Sequence, residues 1–284
     1  MLENESIIAA TLRQALTAKA KKNIMAIAGG TDLLVKLHDT IDTPNPKLLV
    51  LDYIKSLHKI VINSKRQISI GPLVTFDEIE QSQLLRQFAP QLVAAASLAG
   101  SAQIRNQATI GGNIANASPA GDLIPPLYAL DAKLELSSIK GKRHVPIEDF
   151  FLGPGKSILK SSELITSIKI MARPGFAFFL RLATRQALAI SKVSVAAGIR
   201  IDKGIVDEVY IALGAVAPTV IRASETEKIL IGKELIQENI CHAAEIAKSE
   251  ARPIDDIRSN AEYRREMVAV LLSRGLTQIA SKLA

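Results

Sequence analysis

The 284 residues include no tryptophan, four tyrosines, seven phenylalanines and one cysteine, Cys241. A single thiol excludes an internal disulfide and any metal cluster held by cysteines of this chain alone. So few rings leave little from which to build stacking platforms for unpaired bases. Basic residues are scattered along the chain, with Lys19, Lys21 and Lys22 as a tight cluster. The formal charge of +7 therefore reads as a solvated surface, or as the mark of a phosphate-bearing small ligand, and not as a nucleic-acid interface. No stretch approaches the roughly 18 uninterrupted apolar residues of a membrane span, and the acidic start Met1-Leu2-Glu3-Asn4-Glu5 lacks the basic opening of a secretory leader. A folded cytoplasmic protein is expected, since 48% hydrophobic and 22% charged residues are ordinary globular usage.

Familiar catalytic and nucleotide signatures are missing too. No Gly-x-Gly-x-x-Gly opens a helix after a strand, which leaves a Rossmann dinucleotide site without support. Gly153-Pro154-Gly155-Lys156-Ser157 imitates the end of a P-loop, but Phe150 stands where that loop needs a glycine, and Pro154 interrupts the amide donors; it reads as a turn. His38, His58, His144 and His242 have no metal-ligand spacing, and no Gly-x-Ser-x-Gly elbow occurs. Such a chain lends binding and electronics to a cofactor and does little acid–base chemistry of its own.

What is present is an irregular order of elements. A helix is expected from a cap at Ser6 to about Ala20, with Ile8, Leu12, Ala15 and Leu16 on one face, then a buried strand over residues 24–28. Thr31-Asp32 can cap a helix carrying Leu33, Leu34 and Leu37. Strands follow at 48–51, 60–63 and 68–71, and a helix at 88–98. Residues 101–122 read as one long polar loop, of a length that in a compact domain is usually functional. A helix at 122–130 precedes strands at 133–137, 164–170, 177–183, 194–201 and 205–215. Helical patterns dominate thereafter, at 223–231, 237–250 and 261–283. No strand–helix alternation is sustained, so the expected class is α+β, with a boundary near Arg173-Pro174-Gly175.

Two glycine pairs stand out, Gly29-Gly30 after a strand and Gly111-Gly112 inside the long loop. Without Cβ atoms, such pairs let backbone amides converge on an anion, although either alone can be a plain turn. Thr31 and Asp32 flank the first pair, Thr109 and Asn113 the second, and together they suggest a pyrophosphate cradle built from separated loops. Asp122 reads equally as a first-turn acid or as the acceptor for a cofactor hydroxyl. Lys192, in the apolar run Ala189-Ile190-Ser191-Lys192-Val193-Ser194-Val195, is either an edge lysine or a charge beside a ligand.

The segments Ala28-Gly29-Gly30-Thr31-Asp32-Leu33-Leu34, Gln103-Ile104-Arg105-Asn106, Thr109-Ile110-Gly111-Gly112-Asn113-Ile114 and Ser118-Pro119-Ala120-Gly121-Asp122 resemble the FAD-binding medium subunit of the molybdenum hydroxylases, the family of xanthine dehydrogenase and carbon monoxide dehydrogenase. The likeness continues through Gly153-Pro154-Gly155-Lys156, Gly214-Ala215-Val216-Ala217-Pro218-Thr219 and Arg252-Pro253-Ile254-Asp255-Asp256-Ile257-Arg258-Ser259 to Ala261-Glu262-Tyr263-Arg264-Arg265, nearly the whole chain.

It implies a PCMH-type FAD-binding fold of two α+β lobes over residues 1–173, and over 174–284 a C-terminal domain of a small antiparallel sheet with helices. Ile27, Ala28, Gly29, Gly30, Thr31, Asp32, Leu33 and Leu34, with Ala108, Thr109, Ile110, Gly111, Gly112 and Asn113, would then hold the FAD diphosphate and ribityl chain. Asn116 and Asp122 would bind its polar groups. The backbone at Leu164 or Ile165 would approach the adenine or ring edge, and Lys192 would lie near the isoalloxazine. Some relatives place an aromatic residue before the second loop, where this chain has Leu98-Ala99.

By the same resemblance the chain is an electron-transfer flavoprotein subunit. Molybdopterin is expected on a large partner chain, [2Fe-2S] clusters on a small one, and NAD+ as the acceptor in a xanthine dehydrogenase-like assembly. A self-sufficient flavin oxidoreductase and a basic binding module without cofactor are the alternatives.

Overall fold

The computed structural model describes residues 6–38, 46–185 and 189–283. The chain opens with β1 (Ile7–Ile8), α1 (Leu12–Lys19), β2 (Ile24–Ile27), α2 (Leu33–His38) and β3 (Lys47–Val50). These strands form a parallel sheet in the order β1-β3-β2. The helix expected from Ser6 is therefore shorter and begins later. Ile7 and Ile8 pair with Leu49 and Val50. Thr11 starts α1 through a reciprocal cap, its hydroxyl accepting from the Gln14 amide at 3.2 Å while Gln14 Oε1 accepts from the Thr11 amide at 3.1 Å.

The second lobe begins with β4 (Ile60–Ile62) and β5 (Gln67–Ile70), crosses through α3 (Phe76–Gln81), α4 (Gln83–Phe88), α5 (Pro90–Leu98), α6 (Ala102–Gln107), α7 (Ile110–Asn116) and α8 (Ile124–Ala129), and returns as β6 (Lys133–Ser138) and β7 (Gly141–Pro146). A small hairpin, β8 (Phe151–Gly153) and β9 (Lys156–Ser157), precedes β10 (Leu164–Met171). The five-stranded sheet is antiparallel, in the order β4-β5-β10-β6-β7.

Two expectations for this lobe are corrected. Residues 101–122 do not form one loop: the hydroxyls of Ser101 and Thr109 accept from the Ile104 and Gly112 amides at 3.2 and 3.1 Å, and each caps a helix of two turns or fewer. Helices that short leave almost no periodicity to read. Asp122 does not begin the next helix either. α8 starts at Ile124, with Pro125 in its first turn, where the missing amide costs nothing.

The C-terminal part consists of β11 (Phe176–Ala183), β12 (Ser191–Asp202), β13 (Ile205–Gly214), β14 (Ile221–Arg222), α9 (Ser224–Leu230), α10 (Gln237–Glu250) and α11 (Ala261–Ala280). Its sheet is antiparallel in sequence order and is covered on both faces. On β12, Val193, Val195, Ala197 and Ile199 join the cluster that includes Val268, Leu272 and Leu276 of α11. The alternate positions are small. Ala196 packs with Leu92 and Leu127 of the second lobe, and a Cβ on Gly198 would meet the Ala129 carbonyl at 3.3 Å. Period-two alternation thus assigns one strand to two cores, and small residues let α8 approach it closely.

Candidate functional site

A cleft of about 610 Å³ lies between the first lobe and the helices α6 and α7 of the second. That is within the usual range for a cofactor pocket, roughly 300–1,000 Å³. Ile27, Ala28, Gly29, Gly30, Thr31, Asp32 and Leu33 line one side; Ala108, Thr109, Gly111, Gly112, Asn113 and Asn116 line another, with Leu164 and Ile165 of β10. Gly29 is what permits this meeting, because a Cβ there would overlap the Gln107 carbonyl. Gly30 adopts φ +70°, in the left-handed region that favours glycine. Among the described residues, none accepts a hydrogen bond from the amides of Gly29, Gly30, Thr31 or Asp32. Four consecutive donors beside a cleft form a cradle for an anion.

The second glycine pair works differently. The Ile110 amide donates to the Val74 carbonyl at 3.0 Å, the Gly111 amide to the Pro72 carbonyl at 2.8 Å, and the Gly112 amide to Thr109 Oγ1 at 3.1 Å. Those donors are spent within the protein, so the cradle expected from two converging amide runs comes from the first loop. Gly111 is bare because a Cβ would collide with Pro72, and Gly112 keeps the cleft open beside Thr109. The second loop offers side chains instead. Asn113 Oδ1 is buried without a hydrogen-bond partner, and such atoms ordinarily have one.

Four of the expected residues lie outside the cleft lining. Ile110 is wholly buried in the core of the second lobe, and the Leu34 side chain is 49% exposed. The Asp122 carboxylate is enclosed: Arg181 Nη1 lies 2.6 Å from Oδ2, the Ser191 hydroxyl donates to Oδ1 at 2.6 Å, and Arg181 also donates to the Leu98 carbonyl. Burial pushes the Asp122 carboxyl up from its ordinary range, with Arg181 and Ser191 pulling it partly back. Lys192 is the extra residue of a bulge in β12, where Leu182 pairs with Val193 and Ala183 with Ser191. Bulges re-aim side chains, and pairing with β13 begins only at Ser194, so Lys192 stands at the end of its strand with both the edge role and the ligand role open to it.

The cleft also has members that the motifs did not announce: Lys19, Lys36, Pro72, Gly155, Leu159 and Glu163. Gly155 sits in the turn read from Gly153-Pro154-Gly155, and its amide donates to the Ala117 carbonyl at 2.9 Å. Glu163 is held by a two-pronged contact from Arg143, at 2.8 and 2.9 Å, and by the Lys160 amide at 2.9 Å. The Arg143 guanidinium above all keeps its carboxyl below the usual range. Lys36 follows Asp32 by one helical turn and pairs with it, whereas Lys19, Pro72, Leu159 and Glu163 carry no spacing signal and reach the cleft only through the packing of elements distant in sequence. Among the described residues no group of histidines, cysteines and carboxylates could hold a metal ion, and no helix is long and apolar enough to cross a membrane.

Residues 2–171 match the FAD binding domain in molybdopterin dehydrogenase, and residues 178–279 the CO dehydrogenase flavoprotein C-terminal domain. The xanthine dehydrogenase FAD-binding subunit of Escherichia coli O157:H7 is 32% identical over 275 residues, which cover 95% of this chain and 94% of that one. The glyceraldehyde dehydrogenase medium chain of Sulfolobus acidocaldarius is 32% identical over 278 residues, covering 96% of each. A chain of the reconstituted CO dehydrogenase from Oligotropha carboxidovorans superposes with a TM-score of 0.92 at 27% identity, with 98% of each chain covered. With both domains matched in order and almost all of its length shared with these relatives, the chain belongs to the family of FAD-binding medium subunits of the molybdenum hydroxylases.

Proposed function

We propose that this chain holds FAD in the cleft and works as the electron-transfer subunit of a molybdenum-containing hydroxylase. In this reading a substrate is hydroxylated at a molybdopterin centre on a large partner chain, and electrons pass through [2Fe-2S] clusters on a small partner chain. They leave to NAD+ or another acceptor, as in a xanthine dehydrogenase-like enzyme, the kind named by the Escherichia coli relative. The observation that carries the proposal is the cleft itself: an unpartnered run of four amides on one lobe faces polar side chains and an orphaned carbonyl oxygen on the other.

Bound FAD supplies the change between one-electron and two-electron transfer. The chain's own residues would bind and orient it. The amides of residues 29–32 would take the diphosphate, and Thr109, Asn113 and Asn116 the hydroxyls of the ribityl chain or ribose. Leu51, Leu73, Leu164 and Ile165, which line the same cleft, would exclude water from its apolar surface. Asp122 would serve from outside the cleft, by fixing Ser191 and hence the start of β12 where Lys192 emerges.

The test is an absorption spectrum of the purified chain, with heat release and identification of any yellow chromophore. FAD at near one-to-one ratio is the expected result. A colourless chain that does not take up added FAD would refute the proposal and favour a cofactor-free binding module. Reduction of the bound flavin by a soluble donor at catalytic rates without partner chains would favour a self-sufficient oxidoreductase.

A further inference from the structure

Among the described residues the cleft is lined by two basic side chains, Lys19 and Lys36, and by the carboxylates of Asp32 and Glu163. A dinucleotide diphosphate would bring two more negative charges. Glu163 is already neutralised by Arg143. Lys19 is committed elsewhere: its ammonium donates to the Ile24 carbonyl at 2.7 Å and is half-buried, which lowers its pKa. Ile24 opens β2, so that contact is separated from Gly29 by the whole strand, about 10 Å of extended chain.

Lys36 is placed otherwise. On α2, four residues after Asp32, its Nζ lies 2.7 Å from Asp32 Oδ2 and donates to Asn116 Oδ1 at 2.5 Å. Asn116 belongs to α7, so this ammonium bridges the helix that follows Gly29-Gly30 and the helix that contains Gly111-Gly112, on the lining of the cleft that residues 29–32 also line. Its side chain is 60% exposed and long. A change of rotamer can therefore trade Asn116 for a phosphate oxygen with the backbone at rest.

We infer that Lys36 is a specificity-determining residue of the cofactor site: its ammonium pairs with the diphosphate carried by the amides of residues 29–32 and so selects a dinucleotide flavin over a flavin without phosphates. The assignment rests on the FAD reading above. It also explains how Asp32 can sit beside an anion, since Lys36 offsets that carboxylate.

The experiment is a fluorescence titration of the flavin-free full-length chain with FAD and, separately, with riboflavin. Wild type is compared with Lys36→Met, Lys36→Arg and the double variant Asp32→Asn/Lys36→Met. Lys36→Met should raise the FAD dissociation constant about tenfold, as for loss of one charge-assisted contact, and leave riboflavin binding unchanged. Lys36→Arg should recover most of the loss, and the difference between wild type and Lys36→Met should shrink at high salt. Equal loss for both flavins, or no loss for either, overturns the assignment. So does full FAD affinity in the double variant, because Lys36 would then act only by masking Asp32. A wild-type chain that binds neither flavin is a different result, and it overturns the FAD reading itself.

Discussion

Replacing Arg181 by methionine should expose what the clasp around Asp122 contributes. The two charged groups lie 2.6 Å apart with side chains only 5% and 11% exposed, so neither can regain water when the other is removed. Breaking a buried pair on one side typically costs about 3–5 kcal/mol, chiefly the penalty of the charge left behind. The Leu98 carbonyl loses its guanidinium donor as well. Since native domains are stable by about 5–15 kcal/mol, the loss should appear as a large fall in the urea midpoint at pH 7. Adding Asp122→Asn to Arg181→Met should return much of it, because a neutral amide can keep the Ser191 contact without a stranded charge.

The pH dependence follows from the sign of the shift. Burial raises the Asp122 carboxyl in the folded chain above its unfolded value, so the folded form takes up a proton more readily and gains relative stability as pH falls. Without Arg181 the rise is larger. The deficit of Arg181→Met should therefore be greatest near pH 8 and narrow toward about pH 5. A deficit below about 1 kcal/mol, flat across that range, would refute the reasoning, because that is what an exposed pair would give.

Ile110→Ala should cost about 2–5 kcal/mol in chemical denaturation, and Ile110→Val about 0.5–1.5, because the side chain is fully buried core; a loss of flavin affinity with unchanged stability would contradict that placement. Gly29→Ala should weaken FAD binding at least tenfold in a titration, since the new Cβ must push the Gln107 backbone away and open the cleft; unchanged affinity would mean that the two loops need not touch. At Glu135, burial opposes the charged form, but Lys169, His144 and Lys142 outweigh it and bring the carboxyl down to about 2. Its stabilisation is present above the ordinary value of 4.5 and is lost as pH falls toward 2. Glu135→Gln should accordingly be less stable than wild type at neutral pH and match it near pH 2 in an acid-unfolding series.

Local chemistry was legible in the chain alone. β2 ending shortly before Gly29-Gly30, α2 following Thr31-Asp32, and the strands and long helices of the C-terminal part all follow from glycine conformation, capping side chains and apolar period, each of which acts over a few residues. The two glycine pairs could be read as companions because both combine bare backbone with small polar neighbours. Membership of the flavoprotein family was legible for a similar reason, since its motifs are contiguous runs of residues.

The tertiary structure decided which atoms are spent and which are left over. Val74 and Pro72 take the amides of Ile110 and Gly111, so only the first loop keeps a free cradle. Arg181, 59 residues from Asp122, turns a candidate ligand into a buried clasp, and Lys36 meets Asn116 across 80 residues. β1 and α1 divide a run that looked like one helix because Leu49 and Val50 offer Ile7 and Ile8 a ladder. Hydrogen-bond partners and burial depend on distances between segments far apart in the chain, and those distances exist only once the lobes have packed.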